Sequence, residues 1–344
     1  MESIINEEPD LEVVGSVFSG EKALDFLKTQ TADVITLDVQ MPGLGGIDTL
    51  KEIQLQNTQL PRDQQMGILM VSAYTLEQSG VTDEALKSGA YDFVTKPSTQ
   101  LTEQTPAAFG RALVAKLRQH RRQFRRADPI LTKPSLLRER SDPGSLISTD
   151  FKVILIGAST GGPRALAELL PALTLATEAP ILIVQHLPLG FTQSLAENLQ
   201  RQSEWPVLEA EPDQPILSRH IYLAPGGRHL TLKYQPPGTL TAHLTDDPPE
   251  SGCRPSASVL FRSAAPTLGR EALAIILTGM GNDGAAGLQT LHRAGGFVIA
   301  QDEPTSVVWG MPGSAVAASA VDRVLPIDLI ADQVARLRRS RTTI

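Results

Sequence analysis

Cysteine is nearly missing from this sequence: Cys253 is the single one among 344 residues. No internal disulfide can form, and no Cys/His pair has the spacing of a zinc site, which suits a reducing cytosol. An excess of positive charge is missing as well. With 31 Lys and Arg against 38 Asp and Glu, a net charge of −7, the chain offers no polyanion-binding surface, and nucleic acid is not expected as a partner. Long apolar runs are also absent. None approaches the roughly 20 residues of a membrane helix, and no basic n-region with an apolar h-region opens the chain. The expectation is a soluble, cytoplasmic protein with no direct membrane insertion. Solenoid-period repeats and low-complexity tracts do not occur.

What is there instead is alternation. LEVVGSVF (11–18), VITLD (34–38), GILMVSA (67–73) and DFVTKP (92–97) read as strands, separated by helical patterns in EKALDFLKTQ, after GLGG and in LEQSGVTDEALKSG. A further helix, PAAFGRALVAKLRQHRRQFRR, leads into an aperiodic stretch of Pro, Ser and charge that reads as a linker. From FKVILIG the alternation resumes through PILIVQH (180–186), HIYLAPG (220–226), ALAIILTGM (272–280) and GGFVIAQD (295–302), with a helix near SVLFRSAAPTLG, a hairpin-like insertion around 228–246 and two closing helical segments. Short β-branched runs between amphipathic helices predict parallel, doubly wound sheets. The expected fold class is α/β with two such domains, at 1–122 and 150–338, joined by a linker at 123–149.

In an open parallel sheet the site lies outside the carboxyl ends of the strands. Three of these ends deliver a hydroxyl, an imidazole and a carboxylate: VILIGA gives Ser159, PILIVQ gives His186 and AIILTGMGN gives Asp283. A serine hydroxyl attacks only when an imidazole takes its proton, and the imidazole needs a carboxylate to fix its tautomer. Gly157, Gly161 and Gly162 allow a sharp turn that leaves amides free for a developing oxyanion, and GMGNDG offers further amides, that of Met280 included. The stretch G157-A-S-T-G161 fits the nucleophile-elbow pattern, but α/β-hydrolases run Ser, acid, His and this chain runs Ser159, His186, Asp283.

The blocks IGASTGGP, VQHLP, YLAPGGRHL, CRPSASVLF, LTGMGNDGAAGL and AQDEPTSVVWGMP resemble the catalytic domain of the chemotaxis response-regulator protein-glutamate methylesterases. The resemblance implies a Rossmann-like, mostly parallel methylesterase domain with a triad in the order Ser159, His186, Asp283. It also implies an oxyanion-hole amide from Met280 and a supporting Thr160. The implied reaction is hydrolysis of glutamate methyl esters, and deamidation of glutamine, on chemoreceptor helices, with no cofactor for catalysis.

The front domain resembles a receiver, the flavodoxin-like phosphoacceptor module of two-component signalling. Asp38 closes VITLD, Ser72 closes GILMVSA and Lys96 closes DFVTKP, which supplies an acceptor carboxylate, a hydroxyl sensor and a cation. The implied phosphodonor is a chemotaxis histidine kinase, and the implied ion is Mg2+ on Asp38. A receiver opens with a strand ending in an acidic pair that holds this Mg2+. Here MESIINEEPDLEVV reads as the tail of the first helix, so the first strand and the acidic pair are missing and the metal site is incomplete. A start upstream of Met1 would account for this. By the same resemblance, the unphosphorylated front domain covers the rim holding Ser159, and phosphorylation at Asp38 shifts that population.

Other readings compete. A nucleotide-binding back domain would need G-x-G-x-x-G, which Ala158 and Ser159 interrupt. A DNA-binding regulator lacks a helix-turn-helix pattern after the linker. His120, His243 and His292 read as ordinary surface or helix residues, whereas His220 and His229 flank YLAPGG and could line a groove. Cys253 reads as a packed or groove-edge thiol with no base assigned to it. Arg254 and DEPTSVVWGMP read as shaping the groove for a receptor helix, with Trp309 equally well explained as core.

Overall fold

The computed structural model describes residues 1–61, 64–72, 84–85, 88–97, 106–124, 151–236 and 238–339. The chain divides into two compact units, Met1–Leu131 and Thr132–Ile344. The expected linker, apart from the end of a helix at 123–124, and most of the helix expected in LEQSGVTDEALKSG lie outside the described residues.

In the first unit, helix α1 (Glu2–Asn6) and helix α2 (Gly20–Leu27) come before strand β1 (Val34–Asp38). Ser19 caps α2 by accepting from the Lys22 amide, as a hydroxyl at a helix start does. Helix α3 (Gly46–Asn57) turns Leu50 and Ile53 inward. Strands β2 (Gly67–Ser72) and β3 (Asp92–Thr95) complete a parallel sheet in the order β1-β2-β3. Helix α4 (Pro106–Phe124) lays Phe109, Leu113 and Leu117 against Leu69, Val71 and Val94, and Ile4, Ile5 and Leu11 pack on the same cluster.

One expected strand is not formed. LEVVGSVF has no ladder, and Val14, Val17 and Phe18 are exposed. Among the described residues no strand runs beside it, and a lone extended segment cannot satisfy its backbone groups by pairing. The β-branched pattern expresses a strand preference that the want of a partner overrules.

The second unit holds a seven-stranded sheet in the order β12-β11-β10-β4-β5-β7-β6. Its members are β4 (Val153–Ala158), β5 (Ile181–Gln185), β6 (Val207–Glu209), β7 (Ile221–Leu223), β10 (Ala272–Ile276), β11 (Phe297–Gln301) and β12 (Arg323–Leu325). Every pairing in it is parallel. Strands β8 (His229–Gln235) and β9 (Thr239–Thr245) form the antiparallel hairpin expected as an insertion. The short β6 and β12 were not expected; at three residues each, they carry too little pattern to be read.

Helices α5 (Gly162–Ala176), α6 (Phe191–Gln200), α7 (Ala257–Thr267), α8 (Ala285–Arg293), α9 (Met311–Ala317) and α10 (Ile327–Arg339) complete the unit. Strands β4, β5, β10 and β11 are buried along their whole length, the mark of a parallel sheet covered on both faces. Chain order runs outward from β4 in one direction through β5, and in the other through β10 and β11. The carboxyl ends of β4 and β10 thus border the switch point, where such sheets place their sites.

Candidate active site

Ser159 follows β4, His186 follows the adjacent β5, and Asp283 lies in the loop after β10 on the other side of β4. The register pairs Ala158 with Gln185, and the His186 amide donates to the Ala158 carbonyl at 3.1 Å. Ser159 and His186 are therefore neighbours across two strands, spaced roughly 5 Å apart.

The Ser159 turn is held on several sides. Its amide donates to the Thr278 carbonyl at 3.1 Å, and its carbonyl accepts from the Gly162 amide at 2.7 Å and from Gln185 Nε2 at 2.9 Å. Gly161 stands at φ 77°, left-handed backbone that glycine enters without steric cost, and it turns the chain directly into α5. Gly279 crosses behind Ser159 so closely that a Cβ there would lie 2.9 Å from the Ser159 Cβ. Among the described residues the Ser159 hydroxyl makes no hydrogen bond.

His186 and Asp283 are brought together. Asp283 Oδ2 lies 2.7 Å from His186 Nε2, which fixes Nε2 as the protonated nitrogen of a neutral ring. Asp283 is almost fully buried, a costly place for a charge unless it is met by donors. The donors come from the start of α7 and from its own loop: Ser256 Oγ at 2.7 Å, the Ala257 amide at 2.6 Å, the Ser258 amide at 3.1 Å and the Gly284 amide at 2.8 Å. A carboxylate at a helix N-terminus also meets the positive end of the helix dipole. Burial pushes the Asp283 carboxyl up, but His186, Ser256 and the Ser258 amide outweigh it and hold it well below the usual carboxylate range. For His186 burial works to lower the pKa, whereas Asp283 and Cys253 raise it, to about 9.

Two further placements bear on the ring. Cys253 Sγ lies 3.6 Å from His186 Nδ1. No cysteine–histidine spacing in the sequence pointed to this contact, because 67 residues separate the two. His229, read as lining a groove, is instead fully buried: Nδ1 accepts from the Ser256 amide at 3.2 Å and Nε2 donates to the Pro248 carbonyl at 3.2 Å. It thereby steadies the residue that holds Asp283.

Of the remaining candidates, Thr160 is buried and its carbonyl accepts from Thr278 Oγ1 at 2.9 Å. The Met280 amide has no hydrogen-bond partner among the described residues and lies one residue beyond Gly279, against the Ser159 turn. Arg254 donates to the carbonyls of Asp246 and Asp247, and Trp309 Nε1 donates to the Gln301 carbonyl. His292 meets Asp322 at 3.2 Å. Reasoning from sequence missed Gln185, Ser256 and Ser258, and it gave His229 a groove position rather than its buried, supporting one. For Ser256 a signal existed, since a Ser before a helical pattern is a cap signature.

In the first unit the register sets Ser72 opposite Thr95 and Asp38 opposite Val71, so Asp38, Ser72 and Lys96 share the carboxyl rim of the sheet. Lys96 Nζ pairs with Asp38 Oδ2, and Asp38 Oδ1 accepts from the Gln40 amide at 3.2 Å.

A serine in a glycine-rich turn, an imidazole and a buried carboxylate thus lie on one rim of a doubly wound sheet. The CheB methylesterase family profile matches residues 154–334, and that of the response regulator receiver domain matches residues 1–104. A protein-glutamate methylesterase/protein-glutamine glutaminase of Pectobacterium atrosepticum is 39% identical over 97% of this chain and 91% of its own length. One from Hahella chejuensis is 38% identical over the same shares. The crystal structure of the Thermotoga maritima CheB methylesterase catalytic domain is similar with a TM-score of 0.53 at 41% identity, covering 54% of this chain and 98% of that one. The chain belongs to the CheB methylesterase family and carries a response regulator receiver domain ahead of its catalytic one.

The receiver likeness implies Mg2+, a hard cation that takes oxygen ligands. Among the described residues Asp38 belongs to no cluster of three His, Cys, Asp or Glu groups, and one of its oxygens is already paired with Lys96. The described residues do not fit a complete magnesium site. No helix among them is long and apolar enough to cross a membrane.

Proposed function

We propose that the chain is a cytoplasmic protein-glutamate methylesterase and protein-glutamine glutaminase of chemotaxis, acting through Ser159, His186 and Asp283 under control of its receiver. The observation that carries this reading is the 2.7 Å contact between His186 Nε2 and an Asp283 carboxylate that has four further donors. With Nε2–H committed to Asp283, Nδ1 is the nitrogen left to take the Ser159 proton. Ser159 and His186 follow adjacent strands, and the proposed reaction requires the Ser159 hydroxyl to reach that nitrogen.

Ser159 Oγ attacks the side-chain carbonyl of a methylated glutamate, and His186 accepts the proton while Asp283 steadies the imidazolium. The Met280 amide, with its hydrogen freely available, faces the developing oxyanion. The imidazolium returns its proton to the departing methoxide, so methanol leaves an acyl-enzyme that water hydrolyses by the same steps in reverse. A glutamine substrate follows the same course with ammonia as the leaving group. The substrate is a helix of a methyl-accepting chemoreceptor.

Asp38 is the phosphorylation site, a chemotaxis histidine kinase the donor, and Lys96 and Ser72 the groups that meet the phosphoryl oxygens. Phosphorylation shifts the chain away from a restrained population rather than changing its chemistry. Methanol release from methylated receptor membranes tests the catalytic reading. Ser159→Ala abolishes it with the fold intact by circular dichroism; release that survives this substitution refutes it. If a chain beginning at residue 150 hydrolyses no faster than the unphosphorylated whole, the restraint is refuted.

A further inference from the structure

His186 Nδ1 and Cys253 Sγ stand 3.6 Å apart at the edge of the catalytic rim, with Cys253 partly exposed. A tetrahedral cation bound at about 2.05 Å to an imidazole nitrogen and about 2.3 Å to a thiolate sulfur separates those two atoms by about 3.6 Å. The observed spacing already has this bite. The other ring nitrogen donates to Asp283, as the free nitrogen of a metal-bound histidine donates to a carboxylate that fixes its tautomer and raises its basicity. Ligand atoms of His186, Cys253 and Asp283 all fall within 4.8 Å of one another, the only such group of three among the described residues.

We propose that His186 Nδ1 and Cys253 Sγ form a reversible inhibitory site for a thiophilic divalent cation, Zn2+, with Asp283 as the outer partner and water in the remaining positions. Thiolate and imidazole together select a borderline-soft ion over Mg2+ or Ca2+. On binding, the Cys253 S–H bond ionises and its proton goes to solvent, the metal exchanges two waters for sulfur and nitrogen, and no oxidation state changes. The inhibition rests on the proposed esterase reading, because the cation occupies the nitrogen that would take the Ser159 proton. Binding itself does not rest on it.

Two measurements on the full chain test this separately. In the first, methanol release is followed as Zn2+ is titrated, with each variant referred to its own zinc-free rate. Zn2+ inhibits, a chelator restores the rate, and Cys253→Ser raises the half-inhibiting concentration at least tenfold. In the second, Co2+ is the probe, and binding produces a thiolate-to-metal charge-transfer absorption. Cys253 is the single cysteine of the chain, so the band has one source. It is lost in Cys253→Ser and weakens at least tenfold in apparent Co2+ affinity in His186→Gln, a variant that needs no activity for this readout; circular dichroism checks that both remain folded. Equal zinc sensitivity in Cys253→Ser, or an undiminished band in His186→Gln, overturns the site. Co2+ binding through both residues without zinc inhibition overturns the inhibitory part. A chain without Ser159-dependent methanol release refutes the esterase reading and leaves the cobalt result to decide the site.

Discussion

Replacing Asp283 by asparagine keeps the shape and removes one acceptor oxygen. Asp283 Oδ1 accepts from Ser256 Oγ, the Ser258 amide and the Gly284 amide, and Oδ2 accepts from the Ala257 amide and meets His186 Nε2. The single oxygen of the substituted side chain keeps most bonds in the Oδ1 position. Its NH2 then faces the Ala257 N–H, stranding a buried donor, and faces His186 Nε2, which must now accept. That ring carries its proton on Nδ1, the nitrogen needed by Ser159. The wrong tautomer costs about 10⁴ in kcat, as the equivalent change does in a serine protease, or about 5.4 kcal/mol of transition-state stabilisation. The stranded amide costs about 2 kcal/mol of stability, and Tm falls by about 4–8 °C for a unit of this size. The assay is kcat/KM for methanol release from methylated receptor membranes, beside a thermal melt. Activity within thirtyfold of the parent, with a normal melt, refutes the assignment of Asp283 as the orienting acid.

Gly279→Ala places a Cβ 2.3 Å from Met311 Sδ and 2.9 Å from the Ser159 Cβ. Overpacking of this kind costs about 1–3 kcal/mol, and because the push falls on the nucleophile, kcat falls by more than the loss of folded protein explains; denaturant unfolding and methanol release measured together separate the two. Titration of His186 has opposite signs in stability and rate. Its folded pKa of about 9 lies above the ordinary 6.5, so its stabilisation is complete below pH 6.5 and is lost as pH rises through 9, a change of roughly 3 kcal/mol. Over the same window the neutral base accumulates and kcat/KM climbs; paired urea midpoints and rate profiles between pH 6 and 10 check both. Asp38→Asn removes the partner of Lys96 and abolishes both transfer of label from a radiolabelled phosphodonor and any stimulation of methanol release by that donor, with the unstimulated rate retained.

The placement of the proposed reacting groups was legible because their chemistry is carried by single residue types at strand ends, and a parallel sheet gathers strand ends on one rim. Ser159, His186 and Asp283 needed only the alternation of elements to be placed there. Their support was not legible. Ser256, Ala257 and Ser258 hold Asp283 from at least 25 residues upstream, and nothing in a helix start announces which carboxylate it will receive. Gln185 follows an unbroken apolar run, so its side chain read as the end of a strand rather than as a donor to the Ser159 carbonyl. The receiver gives the converse lesson. LEVVGSVF has strand preference but no ladder, because pairing is a property of neighbours.

The order Ser, His, Asp along the chain also has a physical reading in this sheet. β4 is central, with β5 on one side and β10 on the other, so a nucleophile after β4 can be served from either flank. In the proposed triad the base comes from β5, the next strand in sequence. The proposed orienting acid comes after β10, across the switch point, where α7 also begins and brings its amides to meet the buried carboxylate. Exchanging base and acid would put an imidazole among the Ser256, Ala257 and Ser258 donors, which an anion satisfies and a neutral ring nitrogen, with one lone pair, does not. The position of the helix start therefore decides which flank carries the carboxylate, and with it the order in which the chain must present the three groups.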